Sequence, residues 1–134
     1  MADTQIGVIS CSGEECLGGT ISRLATRKVM EDLRPDKVVT LCLPLYIAGG
    51  VEEREFAKDY PVISVDGCEK CCAKRATIKF SGEVKDELVV SDIIGEEISL
   101  SNIVSARNLK DEHFLMVNRI ADEICTKIDY ILNE

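Results

Sequence analysis

The sequence predicts an α/β sandwich of three layers built on a four-stranded parallel sheet. Three observations predict it. The apolar runs Ile6-Gly7-Val8-Ile9, Val38-Val39-Thr40-Leu41 and Val62-Ile63-Ser64-Val65, with Leu88-Val89-Val90 as a fourth, read as buried strands. Segments with helical spacing separate them, and strands alternating with helices imply βαβ units. Right-handed crossovers then put helices on both faces. The simplest spatial order is 2-1-3-4, as in flavodoxin- or Rossmann-like sheets, with its switch point between the first and third strands.

The first strand, near residues 5–10, runs into the glycine-rich loop Cys11-Ser12-Gly13-Glu14-Glu15-Cys16-Leu17-Gly18-Gly19. A helix is expected over about 20–33, with Ile21, Leu24, Ala25, Val29 and Leu33 on one stripe, and Arg34-Pro35-Asp36 stops it. The second strand, about 37–43, ends at Cys42 before Pro44. A short helix over 51–58 is charged on most faces and belongs on the surface. Tyr60-Pro61 opens the third strand, and Asp66-Gly67 closes it with turn chemistry. A helix follows over about 69–80, then the fourth strand, and 92–109 carries no clear pattern. Phe114, Val117, Ala121, Ile124, Ile128 and Ile131 mark the clearest amphipathic helix, over 111–132. No repeat or linker interrupts the chain, and 134 residues suit a single domain spanning 1–134.

Composition narrows the classes. Aromatic residues are 4% with no Trp, and the net charge is −8, so neither base stacking nor phosphate attraction favours nucleic acid. The N-terminus lacks a basic region before an apolar one, and no apolar run approaches the ~20 residues of a membrane span. Seven cysteines without an export signal point to the cytosol, where thiols bind metal or do chemistry more often than they form structural disulfides. With one histidine in the chain, a zinc site must rest mainly on thiolates.

The carboxyl ends of parallel strands lie along one edge, where open α/β sheets place their sites. Cys11, Cys42 and Cys68 each stand at or just past a strand end, and Cys72 follows closely. Strands ~4.8 Å apart and Zn–S bonds of ~2.3 Å let loops after neighbouring strands share one metal. In Cys68-Glu69-Lys70-Cys71-Cys72 the Cys68/Cys71 pair has CxxC spacing, while Cys68 and Cys72 would share a helix face. No proline follows that cluster, unlike the arrangement of thioredoxin-like sites. Cys11 precedes a helix whose N-terminal amides would favour a thiolate. A Cys-x5-Arg phosphate loop fails because Leu17 stands where the arginine is needed, and a P-loop fails because Gly19 stands where the lysine is needed. Cys16 reads as a peripheral ligand or resolving thiol, Cys125 as core, and His113 as a surface or cap residue. Asp66 either holds loop amides or supports the sulfurs from behind. Lys70, Lys74 and Arg75 offset thiolate charge or are simply solvated.

Asp66-Gly67-Cys68 followed by Cys72-Ala73-Lys74-Arg75 resembles the motif that names the DGC-domain family, whose members are candidate zinc-binding proteins. Cys11-Ser12-Gly13 looks like that family's N-terminal CSG, and Leu41-Cys42-Leu43 with Ala48-Gly49-Gly50 is similar to its central cysteine segment. The resemblance spans about residues 6–95 and implies four ligands, Cys11, Cys42, Cys68 and Cys72, with Cys71 and Cys16 extra to the set. The leading expectation is one Zn²⁺ held by four thiolates. Such a closed shell suits a structural, regulatory or metal-carrier role, not hydrolysis. The same ligands also suit an Fe–S cluster. The rival expectation is a thiol redox or sulfur-relay protein using Cys11 and the Cys68-Cys71-Cys72 cluster. The implied partner is a metal ion, with any protein client undefined.

Overall fold

The computed structural model describes residues 5–11, 16–95, 100 and 102–134. Ser12 and Gly13 of the CSG segment lie outside them. Strands β1 (Ile6–Ser10), β2 (Val38–Val39), β3 (Val62–Asp66) and β4 (Asp86–Val89) form one parallel sheet in the order β2-β1-β3-β4, as the sequence predicts.

Alternation along the strands divides the interior. Ile6 and Val8 of β1, with Ile63 and Val65 of β3, face a large core made with Ile21 and Ala25 of α1 (Leu17–Lys28) and Ile120, Ile124 and Ile128 of α7 (Asp111–Leu132). Ile9 and Val62 face the opposite layer, where Phe56 of α4 (Phe56–Asp59) and Ala73 of α5 (Cys72–Phe80) cover the sheet. Gly7 admits the Phe56 ring, because a Cβ there would stand 2.6 Å from Phe56 Cε2. The expected surface helix over 51–58 therefore splits into α3 (Val51–Arg54) and α4, and Phe56 anchors the second piece inside.

Several boundaries differ from the sequence reading for local reasons. β2 pairs through two residues only. Beyond it, the Thr40 hydroxyl donates to Val8 O at 2.8 Å, and the chain turns through α2 (Leu45–Ala48). The first helix keeps its expected end but widens into a π-helical turn over Val29–Leu33, closed by the Arg34 amide on Val29 O. Val90 opens α6 (Val90–Ile94) instead of ending β4. Phe114 is 49% exposed, so the buried stripe of α7 runs through Met116, Val117, Ile120 and Ile124. Cys125 is buried on this helix, and His113 caps its start by accepting the Lys110 amide at Nδ1, 2.9 Å away. No helix among the described residues is long and apolar enough to cross a membrane.

Arg34 ties the π-helical turn to α7 through two bonds, Nε to Asp129 Oδ1 at 2.9 Å and Nη2 to Oδ2 at 2.7 Å. That guanidinium holds the Asp129 carboxyl below its ordinary value of 3.8. A lowered folded-state pKa gives stability that is complete above the unfolded value and lost as pH falls through the folded one. Both side chains are partly solvated, so Asp129→Asn should cost only about 0.5–1 kcal/mol at neutral pH. Urea midpoints of the two proteins should converge in acid.

Candidate functional site

Asp66, Gly67 and Cys68 close β3, and each has its own physical task. The Asp66 carboxylate is buried and accepts the Ala73 amide at 2.7 Å on Oδ1 and the Lys74 amide at 3.2 Å on Oδ2. These amides belong to the first turn of α5. The residue at the helix boundary, Cys71, is left-handed (φ 52°, ψ 51°) and supplies no side-chain cap. Asp66 thus does from another element what a local Asp or Ser usually does. Burial pushes the Asp66 carboxyl pKa up, against the downward pull of the two amides.

Gly67 lets two backbones meet. A Cβ there would lie 2.5 Å from Gly18 C and 2.6 Å from Gly19 N, and one on Gly18 would lie 2.7 Å from Gly67 O. The start of α1 therefore rests directly on the turn after β3. Gly67 N also donates to Cys11 Sγ at 3.3 Å. The Cys11 amide reaches Val65 O at 3.0 Å, carrying the β1–β3 pairing one step past the strand. Cys11 is buried, and its sulfur is also 3.4 Å from Ser22 Oγ. Cys11 is thereby fixed one residue from Cys68.

The other thiols stand around this point. Cys42 is exposed and lines a cavity with Cys11. Cys72, exposed at the first position of α5, borders an apolar cleft of about 300 Å³ with Leu43, Pro44, Tyr46 and Phe80. The Tyr46 and Thr77 hydroxyls, 3.1 Å apart, join α2 to α5 across that cleft. Cys72 therefore adjoins the segment that carries Cys42. Cys68 and Cys71 begin and end one turn, closed by Cys71 N donating to Cys68 O at 3.1 Å. Burial pushes the Cys71 thiol pKa up, and the charges of Asp66 and Glu87 add to the rise.

Cys16 caps α1, its sulfur accepting the Gly19 amide at 3.4 Å. The Leu17 and Gly18 amides donate to Asn102 O and Leu100 O, both at 2.9 Å. The amides expected to act on Cys11 are thus engaged by other groups, with the Leu100 and Asn102 carbonyls accepting two of them. Lys74 pairs with Glu87 of β4, and its charge also pulls the Cys71 thiol pKa down against the larger upward effects.

The donor chemistry at this edge suits a thiophilic metal: the thiols come from separate segments, and one already accepts a backbone N–H. The arrangement is not a finished tetrahedron. Among the described residues, no three His, Cys, Asp or Glu side chains are grouped to hold one ion. The edge instead presents Cys11 buried just past β1, Cys68 in the turn after β3, and Cys42 and Cys72 on exposed positions nearby. Arg23 and Met30 also line the Cys11–Cys42 cavity. Sequence spacing gives no sign of them, because which residues of the helix line a cavity depends on the segment packed beside it.

No curated protein and no solved structure matches the chain significantly. The family model described as "DGC domain" matches residues 7–112, from β1 to the first turn of α7. That match contains every cysteine discussed at this edge, and the chain belongs to the DGC domain family.

Proposed function

We propose that the chain binds one zinc ion through thiolates of Cys11, Cys42, Cys68 and Cys72, in a structural, regulatory or metal-carrier role in the cytosol. The observation that carries this reading is the convergence of separate segments on one sheet edge. Cys11 is bonded to the turn before Cys68 and shares a cavity with Cys42, and Cys72 adjoins Leu43 and Pro44. Binding draws the exposed Cys42 and Cys72 toward Cys11 and Cys68, so metal uptake and ordering of the edge are coupled. Four thiolates leave no open position for water, which argues against hydrolysis. Cys72 is the better fourth ligand than Cys71, since it borders the segment that carries Cys42.

Cys72→Ser should lower the zinc content of protein purified without added metal from about one per chain to a small fraction. Cys71→Ser should leave it near the wild-type value. Equal zinc in both variants and the wild type would contradict the ligand set.

The tight Cys68–Cys71 turn favours a second reading, thiol–disulfide exchange. There Cys68 and Cys71 would form one disulfide, releasing two protons and passing two electrons to a partner disulfide that becomes two thiols. It requires a thiol that alkylates rapidly below neutral pH and keeps doing so after chelation.

A further inference from the structure

The cavity shared by Cys11 and Cys42 encloses about 370 Å³, within the range of small-molecule sites, roughly 300–1,000 Å³. One wall is α1 and the π-helical turn, which contribute Arg23, Arg27 and Met30 at helical spacing. The other is the segment after β2, which contributes Leu41 and Leu43.

The two arginines differ. Arg27 is paired with Glu31 one turn along. Arg23 Nη1 is buried with no hydrogen-bond partner among the described residues. A buried guanidinium nitrogen without an acceptor is costly, and native proteins leave few such groups. Nη1 itself is shut off from solvent, but Arg23 as a residue lines the cavity beside thiols and apolar side chains and makes no hydrogen bond or ion pair among the described residues, an unpaired positive charge on a chain of net charge −8. A planar guanidinium matches a carboxylate through two parallel N–H bonds. A phosphate dianion would call for a second cation, which the Arg27–Glu31 pair withholds.

We propose that this cavity binds a small organic monocarboxylate, with the acid group on Arg23 and a short apolar body against Met30, Leu41 and Leu43. The site stands on Arg23 and the cavity walls and goes beyond the zinc reading, which it does not need. Cys42 lies on the same wall, so an occupied cavity also shields an exposed thiol.

The test is calorimetric titration of the full chain, as purified, with hexanoate, 1-hexanol and inorganic phosphate. Hexanoate should bind saturably and at least ten-fold more tightly than either of the others. Arg23→Gln should weaken hexanoate at least ten-fold, and Arg23→Lys, which keeps the charge and loses the fork, by a smaller factor of at least three. After a chelator has removed any zinc, bound hexanoate should slow alkylation of Cys42 in the wild type at least three-fold, a readout that needs no variant to fold. Equal binding of hexanoate and hexanol, tighter binding of phosphate, an unchanged Arg23→Gln affinity, or unprotected Cys42 would each overturn the proposal. Zinc content, measured on the same samples, reports separately on the thiolate site.

Discussion

Replacing Gly67 with alanine is expected to destabilise the protein by about 3 kcal/mol, the upper part of the range for overpacking, and to lower Tm by on the order of 10 °C. The new methyl group would meet Gly18 C at 2.5 Å, Gly19 N at 2.6 Å and Gly18 O at 2.8 Å. All three atoms are backbone, so no side chain can rotate away. Relief requires the start of α1 to lift from the turn. That movement also breaks the Gly67 N–H bond to Cys11 and strains the amides of Leu17 and Gly18 on Asn102 and Leu100. Gly50→Ala is the matched control, since a Cβ there meets only Glu53 Oε1 at 3.9 Å. It should unfold with the wild type. Thermal unfolding followed by circular dichroism distinguishes the two, and a Gly67→Ala midpoint equal to the control would mean that α1 does not rest on this turn.

Asp66→Ala is the second large effect, expected at about 2 kcal/mol. Hydrogen bonds to a charged acceptor contribute about 1.5–3 kcal/mol each, and Asp66 accepts two. Desolvation of the carboxylate, visible in its raised pKa, subtracts from that gain. Asp66→Asn keeps one acceptor oxygen and the side-chain shape, so it should lose about half as much. The alanine variant also frees the first turn of α5, and the half-buried Cys71 should then alkylate several-fold faster than in the wild type. A stable Asp66→Ala protein with unchanged Cys71 reactivity would show that the carboxylate does not hold the helix.

These two residues explain why Asp and Gly precede Cys68. The first fixes the helix that carries Cys72, and the second admits the helix that follows Cys11. The sequence could be read for the Asp-Gly turn and for cysteines at strand ends, because both follow from local composition and strand order. Holding amides is one of the two tasks the sequence suggests for Asp66, but that they are the Ala73 and Lys74 amides of α5, and that Gly67 meets Gly18, depends on contacts made across the fold. The same division runs through the rest of the chain. β1, β3 and α7 could be read because their apolar periods are unbroken. β2 is shorter than its apolar run suggests, because Thr40 bonds to Val8 and the chain turns there. α5 starts later than the expected residue 69, because Cys71 adopts φ 52°, which nothing in the composition reveals. Arg23 could not be singled out at all, since a buried, unpartnered guanidinium nitrogen is a property of packing.

The central claim is that thiolates at the sheet edge hold a metal. Its most direct test is elemental analysis of the anaerobically purified full chain, paired with a native thiol count before and after chelation. The account predicts about one zinc per chain and about four thiols that become reactive only after the chelator removes it. A metal-free protein with a rapidly alkylating thiol, unaffected by chelation, would contradict it.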